Sequence, residues 1–208
     1  MGSDVDVLVV EYPGHGRRIN ERFRSSIEQI SAEIVDALEQ LHAPFALCGH
    51  SMGSLVAFEC CRQLSLRHTQ LPFALVVCAH RAPHLPPRKP LVHPLPDPNF
   101  LQRVRALNAT PPEVFSSPEL RALMMPILRA DFRVCEQYIT GEHVLLDVAI
   151  YGYEAIDDPD VSAEEMMAWS SHTGRASYRR LFTGGHFFVQ NDIRTVSQAL
   201  RTVCRQHP

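Results

Sequence analysis

Nowhere in the 208 residues does an apolar run approach the roughly 20 residues needed to span a bilayer, and the N-terminus carries no long apolar segment. The expectation is a soluble chain that is neither inserted nor exported. An excess of charge of one sign is missing as well. The formal net charge is −3, which gives no reason to expect nucleic acid or an anionic membrane surface as partner. The six cysteines (48, 60, 61, 78, 135 and 204) contain no CxxC pair and no metal-ligand spacing. Cys48, Cys60, Cys61 and Cys78 fall on strand or helix patterns and read as buried free thiols, which implies a reduced, cytoplasmic setting. There are no internal repeats. What is present is a chain 45% hydrophobic, enough to bury one sizeable core as a single domain over 1–208.

The organisation reads as α/β. Strands are expected near 5–11, 45–49, 73–79, 144–151 and 178–183, alternating with helices, which implies a parallel sheet with right-handed crossovers. Ile27, Ile30, Ile34, Leu38 and Leu41 recur at helical spacing and predict an amphipathic helix over 25–41. The alternation breaks over about 81–141. That stretch opens with Pro83, Pro86, Pro87, Pro90, Pro94, Pro96 and Pro98, too stiff for a regular helix or a central strand. Helix-like apolar patterns follow, among them Leu120, Leu123, Met124, Ile127, Leu128 and Phe132. The insertion reads as a lid, or as a packing insertion without a gating role.

The chemistry concentrates at Gly49-His50-Ser51-Met52-Gly53, between the apolar run Phe45-Ala46-Leu47-Cys48 and the helix-like Ser54 to Glu59. A serine at a strand-to-helix turn sits on strained backbone, and glycines on both sides let neighbouring backbone approach. The strain lifts the Ser51 hydroxyl clear of the sheet, and the Met52 N–H at the helix start faces any developing oxyanion. A serine nucleophile needs a base and an orienting acid. Of eleven histidines, His186 follows the turn Thr183-Gly184-Gly185 after the last strand, where it can reach back over the sheet edge. His50 lies inside the turn and reads as packing. His80 and His84 follow the strand over 73–79 and could line the cleft, though a solvated loop is the favoured reading, and His15, His42, His68, His93, His143, His172 and His207 carry no usable context. The acid belongs on the loop after the preceding strand, Gly152 to Val161, which holds four carboxylates. Asp158 is favoured because Pro159 fixes its backbone direction, and Asp157 is the rival. Ser162 and Glu165 form a capping pattern for the next helix.

Taken together, these stretches resemble the type II thioesterases, the discrete editing enzymes of nonribosomal peptide and polyketide synthesis. The resemblance rests on Gly49 to Gly53, on Asp157 to Val161 with Trp169 downstream, and on Gly184-Gly185-His186-Phe187-Phe188. Tyr12-Pro13-Gly14-His15-Gly16-Arg17-Arg18, Arg81-Ala82-Pro83-His84 and Pro126 to Phe132 with Tyr138 add to it. No single motif is specific, but their order is, and the likeness runs from about Val5 to the C-terminus. It implies an α/β-hydrolase fold and a Ser51–His186–Asp158 triad, with the acid being the Asp before the Pro. The substrate it implies is a mis-primed or stalled acyl group on the phosphopantetheine arm of an acyl or peptidyl carrier protein. No cofactor is needed, and the Asp/His set is not read as a metal site. Met124, Met125, Leu128 and Phe132 are expected to form an apolar lid surface over Ser51.

The family begins with a further strand and a Gly-rich loop whose backbone supplies a second oxyanion donor, whereas this chain starts at what looks like the next strand. Only the Met52 donor is visible, and weakened catalysis is expected. The alternatives are a medium-chain fatty acyl-carrier-protein thioesterase, a carboxylesterase, and a truncated form that binds carrier protein.

Overall fold

The computed structural model describes residues 5–107, 110–140 and 144–206. His143, His207, the expected insertion end at Gly141 and Met1-Gly2-Ser3 lie outside them. Among the described residues, four parallel strands form one sheet in the order β1 (Ala46–His50), β2 (Ala74–Cys78), β3 (Ala149–Ala155), β4 (Ser177–Phe182). In register, Cys48 lies beside Val76, Val76 beside Tyr151, and Tyr151 beside Tyr178.

β2 is buried at every position, as a parallel strand covered on both faces must be. Its residues still alternate. Ala74, Val76 and Cys78 pack with Val196, Ala199 and Val203 of α8 (Ile193–Gln206), while Leu75 and Val77 pack with Ala57, Phe58 and Cys61 of α2 (Met52–Leu66). α2 is enclosed from the other side by Ile27, Ile30 and Val35 of α1 (Ile27–Leu38). α1 starts where Ser26 accepts a hydrogen bond from the Gln29 N–H, which supplies one of the acceptors that a helix start lacks.

The insertion folds as α3 (Asp97–Ala106), α4 (Pro112–Ser116) and α5 (Pro118–Gln137). Pro98, Pro112 and Pro118 stand in their first turns, where a missing N–H costs nothing. The short α6 (Ala163–Met167) carries the expected capping box of Ser162 and Glu165, and α7 is Phe188–Asn191. No helix among the described residues is long and apolar enough to cross a membrane.

Three sequence expectations need correction. Residues 5–11 form no strand: Val7, Leu8, Val9 and Val10 are each more than half exposed and hydrogen-bond into no ladder. Apolar β-branched residues become a strand only where a neighbour pairs with their backbone. The third strand begins at Ala149 rather than 144, because pairing with β2 and β4 starts there; upstream, Leu146 makes only an isolated bridge to Thr173. Gly152, Tyr153 and Glu154, assigned above to the acid loop, are therefore strand. Cys48 is exposed, not buried, since β1 is one of the two edge strands among the described residues; all six cysteines are free.

Candidate active site

The turn between β1 and α2 puts Ser51 at φ 53° and ψ −123°, a region a side chain occupies only when its surroundings force it. The force is visible. A Cβ on Gly49 would lie 2.0 Å from the Gly53 carbonyl oxygen, so the strand end and the helix start could not approach with any other residue there. Gly53 is different: its nearest neighbour to such a Cβ is the Tyr12 hydroxyl at 3.7 Å. The expectation that both flanking glycines are required is thus corrected to one. Ser54 locks the turn, which the sequence reading missed. Its buried hydroxyl lies 2.9 Å from the Gly49 carbonyl and 3.0 Å from the Cys78 carbonyl, and it accepts from the Cys78 N–H at 3.0 Å. The Ser51 N–H donates to the Cys78 carbonyl at 2.8 Å. Met52 opens α2, where the leading N–H groups have no acceptor within the helix.

His186 follows β4 on a turn whose Gly184 adopts φ +97°. Its Nε2 lies 3.0 Å from Ser51 Oγ, and its Nδ1 lies 2.9 Å and 3.2 Å from the two Asp158 carboxylate oxygens. A carboxylate only accepts, so Nδ1 carries the proton and Nε2 turns a lone pair to the serine hydroxyl. The two side chains are nearly enclosed, His186 at 8% exposure and Asp158 at 1%. The acid loop is bent to this purpose. The Asp158 N–H donates to the Ala155 carbonyl, the Asp157 N–H to the Gly184 carbonyl, and the Asp160 N–H to Asp158 Oδ1 at 2.8 Å. Asp157 is exposed and does not meet the imidazole.

His50 lies beside His186, with ring centroids 5.2 Å apart, and its Nε2–H donates to the His186 carbonyl at 2.7 Å. Burial pushes the His50 pKa down to about 4, so it is a neutral prop. His80 and His84 are not solvated, the favoured reading above; His80 instead lines the cavity beside Ser51, the other reading, and His84 does not. His80 is buried, with Nε2 3.4 Å from Cys135 Sγ of α5, and His84 Nδ1 lies 2.6 Å from His172 Nε2. Two histidines without context in the sequence also find carboxylates on α5, His15 with Asp131 at 3.0 Å and His93 with Glu136 at 2.6 Å.

Two arginines of the insertion grip the acid loop. Arg103 of α3 pairs with Asp160, and Arg88 donates to the Pro159 carbonyl at 2.9 Å while pairing with Glu165. Asp160 also brings a second carboxylate near the imidazole, so that ligand-type atoms of Asp158, Asp160 and His186 fall within 4.8 Å of one another. The imidazole already spends both nitrogens, on Asp158 and on Ser51, which leaves neither for an ion.

Ser51 and His186 open into a cavity of about 1730 Å³. Met124, Leu128 and Phe132 of α5 and Val104 of α3 line it as expected of an apolar lid surface, but Met125 does not. The arrangement suits acyl transfer: a hydroxyl on strained backbone, an imidazole within reach, an enclosed carboxylate behind it, and a helix start where negative charge would form.

Comparison with known proteins agrees with this chemistry. The thioesterase domain family model matches residues 1–205. The protein named linear gramicidin dehydrogenase LgrE, from Brevibacillus parabrevis, is 35% identical, over 90% of this chain and 73% of the relative. Thioesterase PikA5 of Streptomyces venezuelae is 34% identical, over 90% of this chain and 67% of its own length. Among solved structures, the RedJ thioesterase of the prodiginine pathway in Streptomyces coelicolor superposes with a TM-score of 0.83 at 34% identity, covering 90% of this chain and 70% of that one.

Proposed function

The chain belongs to the thioesterase domain family, and on that premise we propose that it is a serine thioesterase that clears mis-primed or stalled acyl groups from carrier proteins of nonribosomal peptide or polyketide synthesis. The observation that carries this reading is the continuous contact from Asp158 through His186 to Ser51. His186 Nε2 takes the Ser51 proton as Oγ attacks the thioester carbonyl. The Met52 N–H is one donor to the resulting oxyanion, and Asp158 holds the imidazole tautomer and stabilises its cation. Collapse breaks the C–S bond, and the phosphopantetheine thiolate leaves with the proton from His186. Water, deprotonated by His186, then attacks the acyl-serine; the carboxylic acid departs and Ser51 recovers its proton. The turn that carries Ser51 has a serine where a dinucleotide-binding turn needs glycines, which supports hydrolysis over the hydride transfer in one relative's name.

Residues 1–208 are read as one domain, with 81–141 as a lid. Support comes from the lid helices α3 and α5, whose apolar residues line the same cavity as Ser51. The deciding experiment presents acyl groups on a phosphopantetheinylated carrier protein and, separately, as free oxygen esters. The carrier-bound thioester is hydrolysed faster, Ser51→Ala abolishes turnover, and a fluorophosphonate labels Ser51 alone. Labelling that survives Ser51→Ala removes the nucleophile assignment; faster cleavage of free esters makes the protein a carboxylesterase.

A further inference from the structure

Arg81 stands out among the half-buried charged residues that line the cavity. Arg103, Asp131, Glu136 and Asp160 are half-buried there too, and each has an oppositely charged or imidazole partner: Arg103 with Asp160, Asp131 with His15, Glu136 with His93. Arg81 is half-buried and lines the same cavity, yet among the described residues it has no carboxylate within 4.0 Å. Its Nε–H donates to the Leu85 carbonyl at 3.2 Å, which fixes the plane of the guanidinium. No hydrogen bond from its two terminal nitrogens to a described residue is formed. Burial depresses its pKa below the usual arginine value, outweighing the more distant attraction of Glu165 and Glu136. Placement joins it to the reaction site: Arg81 follows the end of β2 by three residues, and the last residue of β2, Cys78, accepts the Ser51 N–H.

We propose that Arg81 is the anion-binding subsite of the substrate cavity, taking an oxyanion of the thioester substrate, either a phosphate on the pantetheine arm or a carboxylate on the acyl group. This rests on the thioesterase reading above. A guanidinium offers a flat fork of donors that matches phosphate and carboxylate oxygens alike. Because its Nε is already held by Leu85, little side-chain freedom is lost when the terminal nitrogens engage. A half-buried guanidinium without a direct ion pair among the described residues is only partly compensated, so a substrate anion that pairs with it gains discrimination over a neutral analogue.

The test uses acetyl and malonyl thioesters, each on pantetheine and on 4′-phosphopantetheine, with wild type, Arg81→Met and Arg81→Lys. Arg81→Met lowers the preference in kcat/KM for the anion-bearing compound over its neutral counterpart by about ten- to hundred-fold, the range for a hydrogen bond to a charged group, and Arg81→Lys retains part of it. Loss of the malonyl-over-acetyl preference on both arms identifies the acyl carboxylate. Loss of the phosphopantetheine-over-pantetheine preference with both acyl groups identifies the arm phosphate. If Arg81→Met leaves every ratio unchanged, or lowers all rates in equal proportion, the subsite is refuted. Calorimetric binding of the same compounds with NH in place of the thioester sulfur reads Arg81 without turnover. Absence of Ser51-dependent hydrolysis in wild type would count against the thioesterase reading alone, while equal affinities of wild type and Arg81→Met for these amides would refute the subsite.

Discussion

Replacing each glycine of Gly49-His50-Ser51-Met52-Gly53 with alanine should separate two positions that look equivalent in the motif. At Gly49 a Cβ would lie 2.0 Å from the Gly53 oxygen, 2.2 Å from the Gly53 carbonyl carbon and 2.5 Å from the Ser54 nitrogen. Ordinary contact between heavy atoms is about 3.5–4.0 Å, so the strand end or the helix start must move by more than roughly 1 Å. All three obstructing atoms are backbone, which cannot rotate away. The cost belongs at or above the top of the usual overpacking range, about 3 kcal/mol. For a domain of this size that lowers Tm by about 6–12 °C. A displacement of about 1 Å at Ser51, the proposed nucleophile, should also cost on the order of 10²-fold in rate. At Gly53 the nearest atom is 3.7 Å away and the residue is helical. Gly53→Ala should therefore stabilise by about 0.4–1 kcal/mol through the unfolded chain. Thermal unfolding by circular dichroism and the rate of fluorophosphonate labelling read both effects. If Gly53→Ala loses as much stability as Gly49→Ala, the steric account of the turn is wrong.

Asp158→Asn should lower kcat by about 10⁴-fold, as inversion of the histidine tautomer does in Ser-His-Asp hydrolases, whereas Asp157→Asn should stay near wild type; steady-state kinetics on one carrier-bound substrate decide. Arg103→Met frees Asp160, whose N–H holds Asp158, and should cost about tenfold in kcat, roughly 1.4 kcal/mol, with part recovered in Arg103→Lys; unchanged turnover would uncouple the insertion from the acid loop. The hydrogen bond to Asp131 raises the His15 pKa, so this link from the Tyr12–Arg18 loop to α5 stabilises fully below about pH 6.5 and is lost as pH rises through the raised value. A plot of Tm against pH should fall over that window in wild type and be flatter there in His15→Gln.

The parts of the site that were legible in the sequence are those fixed by neighbouring residues. Ser51 between two glycines, a strand and a helix gives its own geometry, and His186 follows a glycine turn after an apolar run. Asp158 against Asp157 was harder, since the choice depends on where the Ala155 and Gly184 carbonyls point, and the latter belongs to another loop. Arg103 and Asp160 are 57 positions apart, and nothing in either neighbourhood announces the pairing. Val5 to Val10 misled because composition records a tendency to pair while the ladder needs a neighbour. The start of β3 misled similarly: Val144 to Tyr151 is almost unbroken apolar sequence, and only the partners on either side mark Ala149 as the first paired residue.

His50 has a consequence for how the protein responds to acid. Two imidazoles this close cannot both be cations without strong mutual repulsion, and a cation on the inner ring would oppose the one that His186 becomes in the proposed turnover. Enclosure at the sheet end keeps His50 uncharged well below neutrality, so in the proposed reaction His186 would take the Ser51 proton beside a neutral neighbour. The same ring fastens the His186 main chain in place through its Nε2–H. Acidification to the region of pH 4 would therefore place a positive charge beside the His186 ring, while the Nε2–H that fastens the His186 carbonyl stays in place on the protonated ring, so activity should fall there through charge repulsion with the local geometry intact.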